Sequence, residues 1–179
     1  AVKRGLVETL RTVKMGPVQD FSNLVNAVID RRSFEKCKRY IDHSRAEAEA
    51  DVIHGGSCDD RVGYFVQPTV IQAHDPCYAS LLDEIFGPIL TVYVYENADF
   101  DKTLGLCDSS SMYALTGAVF AKDRRVIQRM FDAFRHAAGN FYITDTPSGA
   151  IVGQQPFGGG RGSGTNDKAG SILNLQRWV

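Results

Sequence analysis

Apolar residues recur at helical spacing in three stretches of the chain. Val2, Leu6, Leu10 and Val13 fall on one face of a helix predicted to run to the Gly16-Pro17 break. Ser33 reads as the N-cap of a second helix, with Glu35 in its first turn and Phe34, Cys37, Tyr40 and Ile41 on its buried face. In "DRRVIQRMFDAFRHAAG" Val126, Met130, Phe134 and Ala137 line one face, and Gly139 is predicted to supply the C-cap. "DFDKTLGLCDSS" is a further predicted helix. Between these lie extended patterns: "DVIHGG", "GYFVQPTVIQAH", "PILTVYVY", "YALTGAVFA" and "NFYIT". Pro68 places the second of them at a sheet edge or a bulge. The third is apolar on both faces in its first half, the pattern of a buried strand. Strand, helix, strand, helix, strand predicts an α/β fold with a parallel sheet and crossover helices. Composition shifts after residue 144 toward Gly, Ser, Pro and Asn, which divides the chain into an α/β portion, 1–144, and a glycine-rich loop with the C-terminal segment, 145–179.

A chain of 179 residues has the length of one ordinary domain, and its 23% charged and 44% apolar residues are those of a globular protein. A net charge of −1 gives no footprint for a nucleic-acid partner or an anionic membrane. No apolar run approaches the ~20 residues of a membrane span. Cys37, Cys58, Cys77 and Cys107 form no C-x-x-C pair and read as reduced, mostly buried thiols. The histidines show no metal-ligand spacing, so no metal site is predicted. The predicted first helix starts at residue 1 with neither cap nor initiator Met, so the sequence is expected to begin partway into a longer chain.

Two stretches invite chemistry. Residues 152–167, "VGQQPFGGGRGSGTND", read either as a flexible linker or as a backbone-lined loop that lets a ligand approach. Gln-Gln-Pro-Phe favours the loop. No G-x-G-x-x-G, P-loop or G-x-S-x-G pattern occurs there. In "DEIFGPIL", residues 83–90, two carboxylates and an Ile-Phe pair precede a Gly-Pro break. An ionised Glu84 accepts hydrogen bonds only, which suits the paired hydroxyls of a ribose, and Phe86 offers a flat surface to an aromatic ring. The residues equally allow Glu84 to cap a helix and Phe86 to join the core.

"GYFVQPTVI", "DEIFGPIL", "YALTGAVF", "AGNFYIT" and "QQPFGG", in this order, resemble the C-terminal half of the aldehyde dehydrogenase catalytic domain, effectively along the whole chain. "AVID" at 27–30, "AGNFYITD", "GAIVGQQPFGG" and "RGSGTNDKAG" resemble its 1-pyrroline-5-carboxylate dehydrogenase branch. The resemblance implies an NAD-dependent enzyme that oxidises L-glutamate γ-semialdehyde to L-glutamate in proline catabolism, by thiolate attack, hydride transfer and hydrolysis of the acyl-enzyme. It implies that Glu84 binds the nicotinamide ribose and that Phe86 packs beside the nicotinamide. The backbone amides of Gly149 and Ala150 would hold the substrate α-carboxylate as a small anion nest, with Phe157 as an aromatic wall of the aldehyde pocket. Ala150 replaces a Ser found in some members of the branch, and Gly160 and Gly162 replace residues that are often Ala, which is expected to loosen the loop.

By the same resemblance the nucleophilic Cys, the general-base Glu and most of the cofactor domain precede residue 1. No catalytic residue is therefore assigned within the chain, and the chain alone is expected to be inactive. A homo-oligomeric parent enzyme in the mitochondrial matrix, or in the cytoplasm if bacterial, is also implied. Another semialdehyde dehydrogenase, or a standalone partner-binding or assembly module, are the alternatives.

Overall fold

The computed structural model describes residues 1–151 and 154–179, which form two compact units, Ala1–Val94 and Tyr95–Val179. The compositional division at residue 144 thus falls inside the second unit.

In the first unit, helix α1 (Val2–Leu10) is followed by α2 (Arg31–Ala46), β1 (Ala50–His54), β2 (Cys58–Asp59), β3 (Phe65–Val66), β4 (Thr69–Ala73), the short α3 (Ala79–Leu82) and β5 (Ile89–Tyr93). α1 ends well before Gly16. The Thr12 hydroxyl donates to the Thr9 carbonyl at 2.8 Å, a side-chain bond that competes with the helical ladder. α2 begins earlier than predicted because Asp30, not Ser33, is its N-cap: the Asp30 carboxylate accepts from the Ser33 amide at 2.7 Å. Its buried face is Phe34, Cys37 and Ile41, while Tyr40 is half-buried.

Pro68 neither bulges a strand nor marks an edge. It separates β3 from β4, and β4 is the central strand of the sheet β1-β4-β5. β4 and β5 run parallel and β1 antiparallel to β4, while β2 and β3 form a separate two-stranded ladder. β5 is less buried than its apolar pattern predicts: among the described residues it pairs with β4 alone, and Leu90 is exposed. Leu90 and Ile89 instead form one wall of an apolar groove of about 310 Å³ faced by Leu6, Leu10 and Val13. A core of Phe34, Cys37, Ile41, Val66 and Ile85 joins α2 to the chain that leads into β5.

The second unit contains α4 (Phe100–Ser109), β6 (Tyr113–Ala114), β7 (Thr116–Val119), α5 (Arg124–Ala133), β8 (Asn140–Ile143), β9 (Gly160–Arg161) and α6 (Ile172–Leu175). The predicted strand "YALTGAVFA" is split in two. β6 pairs antiparallel with β9, and β7 pairs parallel with β8 through the α5 crossover. α5 is capped by Asp123, whose carboxylate accepts from the Arg125 amide at 2.8 Å, and Met130 packs with Leu104 and Val119. The helix ends at Ala133, so Gly139 is not its C-cap. Glycine is needed at 139 for another reason: a Cβ there would lie 1.9 Å from the Gly158 carbonyl oxygen. Of the four free thiols only Cys37 is buried; Cys58 is half-buried, and Cys77 and Cys107 are exposed, so the expectation of mostly buried cysteines holds only for the first. Among the described residues no helix is long and apolar enough to cross a membrane.

Candidate functional site

Residues 83–87 leave the short α3 and enter β5 under close control from α2. Ile85 is buried in the α2 core and anchors the segment. The Lys36 ammonium donates to the Glu84 carbonyl at 3.2 Å, and the Tyr40 hydroxyl donates to the Asp83 carboxylate at 2.5 Å. That hydrogen bond, reinforced by desolvation, raises the Tyr40 pKa above its ordinary value. Gly87 allows the backbone to run against Cys37: a Cβ at 87 would sit 2.3 Å from the Cys37 sulfur.

This support presents the two flanking residues to solvent. Glu84 is exposed, and among the described residues its carboxylate has no hydrogen-bond or ionic partner. It caps no helix, since α3 ends at Leu82 with Asp83 as its C-cap. Phe86 is 82% exposed and adopts a left-handed φ of 59°. An aromatic residue rarely takes that conformation without surroundings that enforce it, and such strain concentrates at functional positions. The helix-cap and core readings of these two residues are thereby removed. Phe86 also borders a hollow of about 480 Å³ lined by Arg32, Lys36 and Arg39 at the start of α2.

In the second unit, the segment that follows β8 is held by two buried side chains of that strand. Asn140 donates through Nδ2 to the Pro156 carbonyl at 3.0 Å and accepts from the Gly158 amide at 3.1 Å. Tyr142 donates through its hydroxyl to the Gly149 carbonyl, and the Gln155 Oε1 lies 3.4 Å from the same hydroxyl. Two residues apart on a strand, Asn140 and Tyr142 share one face. Phe157 is half-buried, its amide donating to the Ala169 carbonyl at 3.0 Å. Gly149 has a φ of 93°, a Cβ there would meet no described atom within 4 Å, and Ala150 is half-buried. Among the described residues neither the Gly149 nor the Ala150 amide finds an acceptor. Val152 and Gly153, within "GAIVGQQPFGG", lie outside the described residues.

The glycines of the loop therefore serve different ends. Gly159 is buried, and a Cβ there would press to 3.0 Å on the Ala114 carbonyl, so it exists for close backbone packing. Gly162 is similarly tight against the Met112 carbonyl at 3.0 Å. At Gly160 a Cβ meets no described atom within 4 Å. Gly160→Ala is thus expected to stabilise the protein by about 0.4–1 kcal/mol through reduced freedom of the unfolded chain, seen as a higher thermal midpoint. A lower midpoint would show that the position needs glycine.

Sequence reasoning missed the supporting side chains Lys36, Tyr40, Asn140 and Tyr142. Their signal was available: Lys36 and Tyr40 are one turn apart on α2, and Asn140 and Tyr142 put polar groups on the same face of a short strand.

The chain matches the Aldehyde dehydrogenase family over residues 1–178. It belongs to the aldehyde dehydrogenase family. Among curated relatives, it is 54% identical to the mitochondrial delta-1-pyrroline-5-carboxylate dehydrogenase of Dictyostelium discoideum and 47% identical to that of Homo sapiens, each covering 99% of this chain and 32% of the relative. The chain thus spans about a third of the length of the curated relatives it matches. Among solved structures, the delta-pyrroline-5-carboxylate dehydrogenase of Mycobacterium tuberculosis bound with NAD superposes with a TM-score of 0.86 at 47% identity, over 98% of this chain and 31% of that one. As a member of the aldehyde dehydrogenase family, the chain has the expected α/β architecture, with parallel strand pairs in both units.

Proposed function

We propose that this chain is part of an NAD-dependent dehydrogenase that oxidises L-glutamate γ-semialdehyde to L-glutamate, supplying the grip on the nicotinamide ribose and the anchor for the substrate α-carboxylate. The presentation of Glu84 and Phe86 carries the reading. A buried Ile85 between them leaves a carboxylate with no partner among the described residues and an exposed ring face on a segment fixed by α2. A carboxylate that only accepts suits the two hydroxyls of a ribose diol, and an exposed aromatic face suits a planar ring. These residues therefore fit a nicotinamide nucleotide, with Glu84 on the ribose hydroxyls and Phe86 beside the ring. Bound there, NAD supplies the hydride acceptor.

The second half of the reading rests on Gly149 and Ala150. Two adjacent amides without acceptors among the described residues, one of them on a residue in the left-handed region, suit a carboxylate as a small donor nest. Phe157 would wall the aldehyde pocket. None of the four cysteines is assigned as nucleophile. Burial pushes the thiols of Cys37 and Cys58 up, away from the thiolate form that attack requires. Homo-oligomerisation of the whole enzyme, and residence in the mitochondrial matrix or, for a bacterial source, the cytoplasm, belong to the same proposal. Mitochondrial residence is supported by relatives named as mitochondrial.

An aldehyde panel on the enzyme that contains this chain tests the substrate. Glutamate semialdehyde is expected to show the highest kcat/KM, above aldehydes of similar length without an α-carboxylate. A higher value for another semialdehyde would transfer the assignment to that substrate.

A further inference from the structure

We propose that Tyr142 is a positioning residue for substrate specificity: its hydroxyl holds the Gly149 carbonyl and so aims the Ala150 amide at the substrate carboxylate. The inference rests on the carboxylate-anchor reading above and names the side chain that sets the anchor's direction. The Gly149 carbonyl and the Ala150 N–H belong to one peptide group, and the described residues contain no cis peptide bond. A trans peptide is planar, with C=O and N–H pointing in opposite directions. Whatever fixes the carbonyl therefore also fixes the donor, aimed directly away from it.

Tyr142 is suited to that task. It is 6% exposed and stands on β8, whose parallel pairing with β7 keeps it in place. Its hydroxyl bonds the Gly149 carbonyl, while a Cβ at Gly149 would meet no described atom within 4 Å and its φ of 93° is one that only glycine adopts freely. Without the hydroxyl nothing else among the described residues bonds that carbonyl. The preceding turn is tied separately: the Thr146 hydroxyl donates to the Ser148 carbonyl at 3.0 Å, and the Thr116 and Ser148 hydroxyls lie 3.3 Å apart. Within this turn Tyr142 is what holds the Gly149–Ala150 peptide among the described residues. A hydrogen bond donated to a peptide oxygen also polarises the peptide, which makes its N–H a better donor to a carboxylate.

Tyr142→Phe in the enzyme that contains this chain removes the hydroxyl and little else. The KM for glutamate semialdehyde is expected to rise about three- to tenfold with kcat within about twofold, the loss of one positioned hydrogen bond. The KM for an unsubstituted aliphatic aldehyde of similar length should not move, and calorimetric binding of the product L-glutamate should weaken by the factor seen in KM. Replacement of Tyr142 by 3-fluorotyrosine, a stronger donor of nearly the same shape, should shift glutamate binding the opposite way. Equal losses on both aldehydes, or unchanged glutamate binding in both variants, would overturn the role of Tyr142 while leaving the anchor in place. A wild-type enzyme with no preference for the carboxylated aldehyde would overturn the anchor itself, and the inference with it.

Discussion

Ala150→Pro is expected to lower kcat/KM for glutamate semialdehyde about ten- to a hundredfold, the cost of losing one amide donor to a charged group. The substitution is informative because the Ala150 amide has no acceptor among the described residues, so proline removes no internal hydrogen bond. Its effect should therefore fall on the ligand. An aliphatic aldehyde of similar length has no carboxylate to lose and should be affected far less. Ala150→Ser, which keeps the amide and adds a hydroxyl, should be mild. If proline lowered turnover of both aldehydes equally, the loop as a whole would have been disrupted, and the choice of semialdehyde would rest on family resemblance alone.

Glu84→Gln should raise the KM for NAD about ten- to a hundredfold and leave aldehyde binding nearly unchanged, because a charge-assisted acceptor is replaced by a neutral one. Unchanged kinetics with NAD would remove Glu84 from the cofactor site. The neighbouring residue gives a companion test that separates fold from function. Phe86 is exposed and left-handed, so Phe86→Gly should relieve backbone strain and leave the thermal midpoint unchanged or higher. The same change removes the ring face and should weaken NAD. A core residue would behave in the opposite way, losing stability first.

The elements that matched their sequence patterns are those whose periodicity was met by packing within the chain. α5 has apolar residues at helical spacing and buries Met130 among Leu104 and Val119, and β7 and β8 pair as the parallel rhythm predicts. Departures have local causes. A hydroxyl-to-carbonyl bond at Thr12 accompanies the early end of α1, and Asp30 outcompetes Ser33 as a cap because its carboxylate reaches the Ser33 amide. β5 was written for two covered faces, but only a partial groove covers Leu90 here. A glycine after a helical pattern predicts a cap at Gly139. What demands the glycine is the carbonyl of Gly158, distant in sequence and invisible to any local rule.

The candidate site was legible in the same uneven way. Motifs point to Glu84, Phe86, Gly149, Ala150 and Phe157, but no motif says which side chains hold them. Lys36 reaches Glu84, and Tyr142 reaches Gly149, across stretches of chain that only folding brings together. Spacing on one element hinted at these supports, but their targets lie on another.

A crystal structure of the enzyme that contains this chain, with NAD and L-glutamate bound, is the most direct test. The Glu84 carboxylate is expected on the nicotinamide ribose hydroxyls, and the glutamate α-carboxylate within hydrogen-bond distance of the Gly149 and Ala150 amides. Density that places the α-carboxylate on a side-chain cation elsewhere, with Glu84 turned away from the ribose, would contradict it.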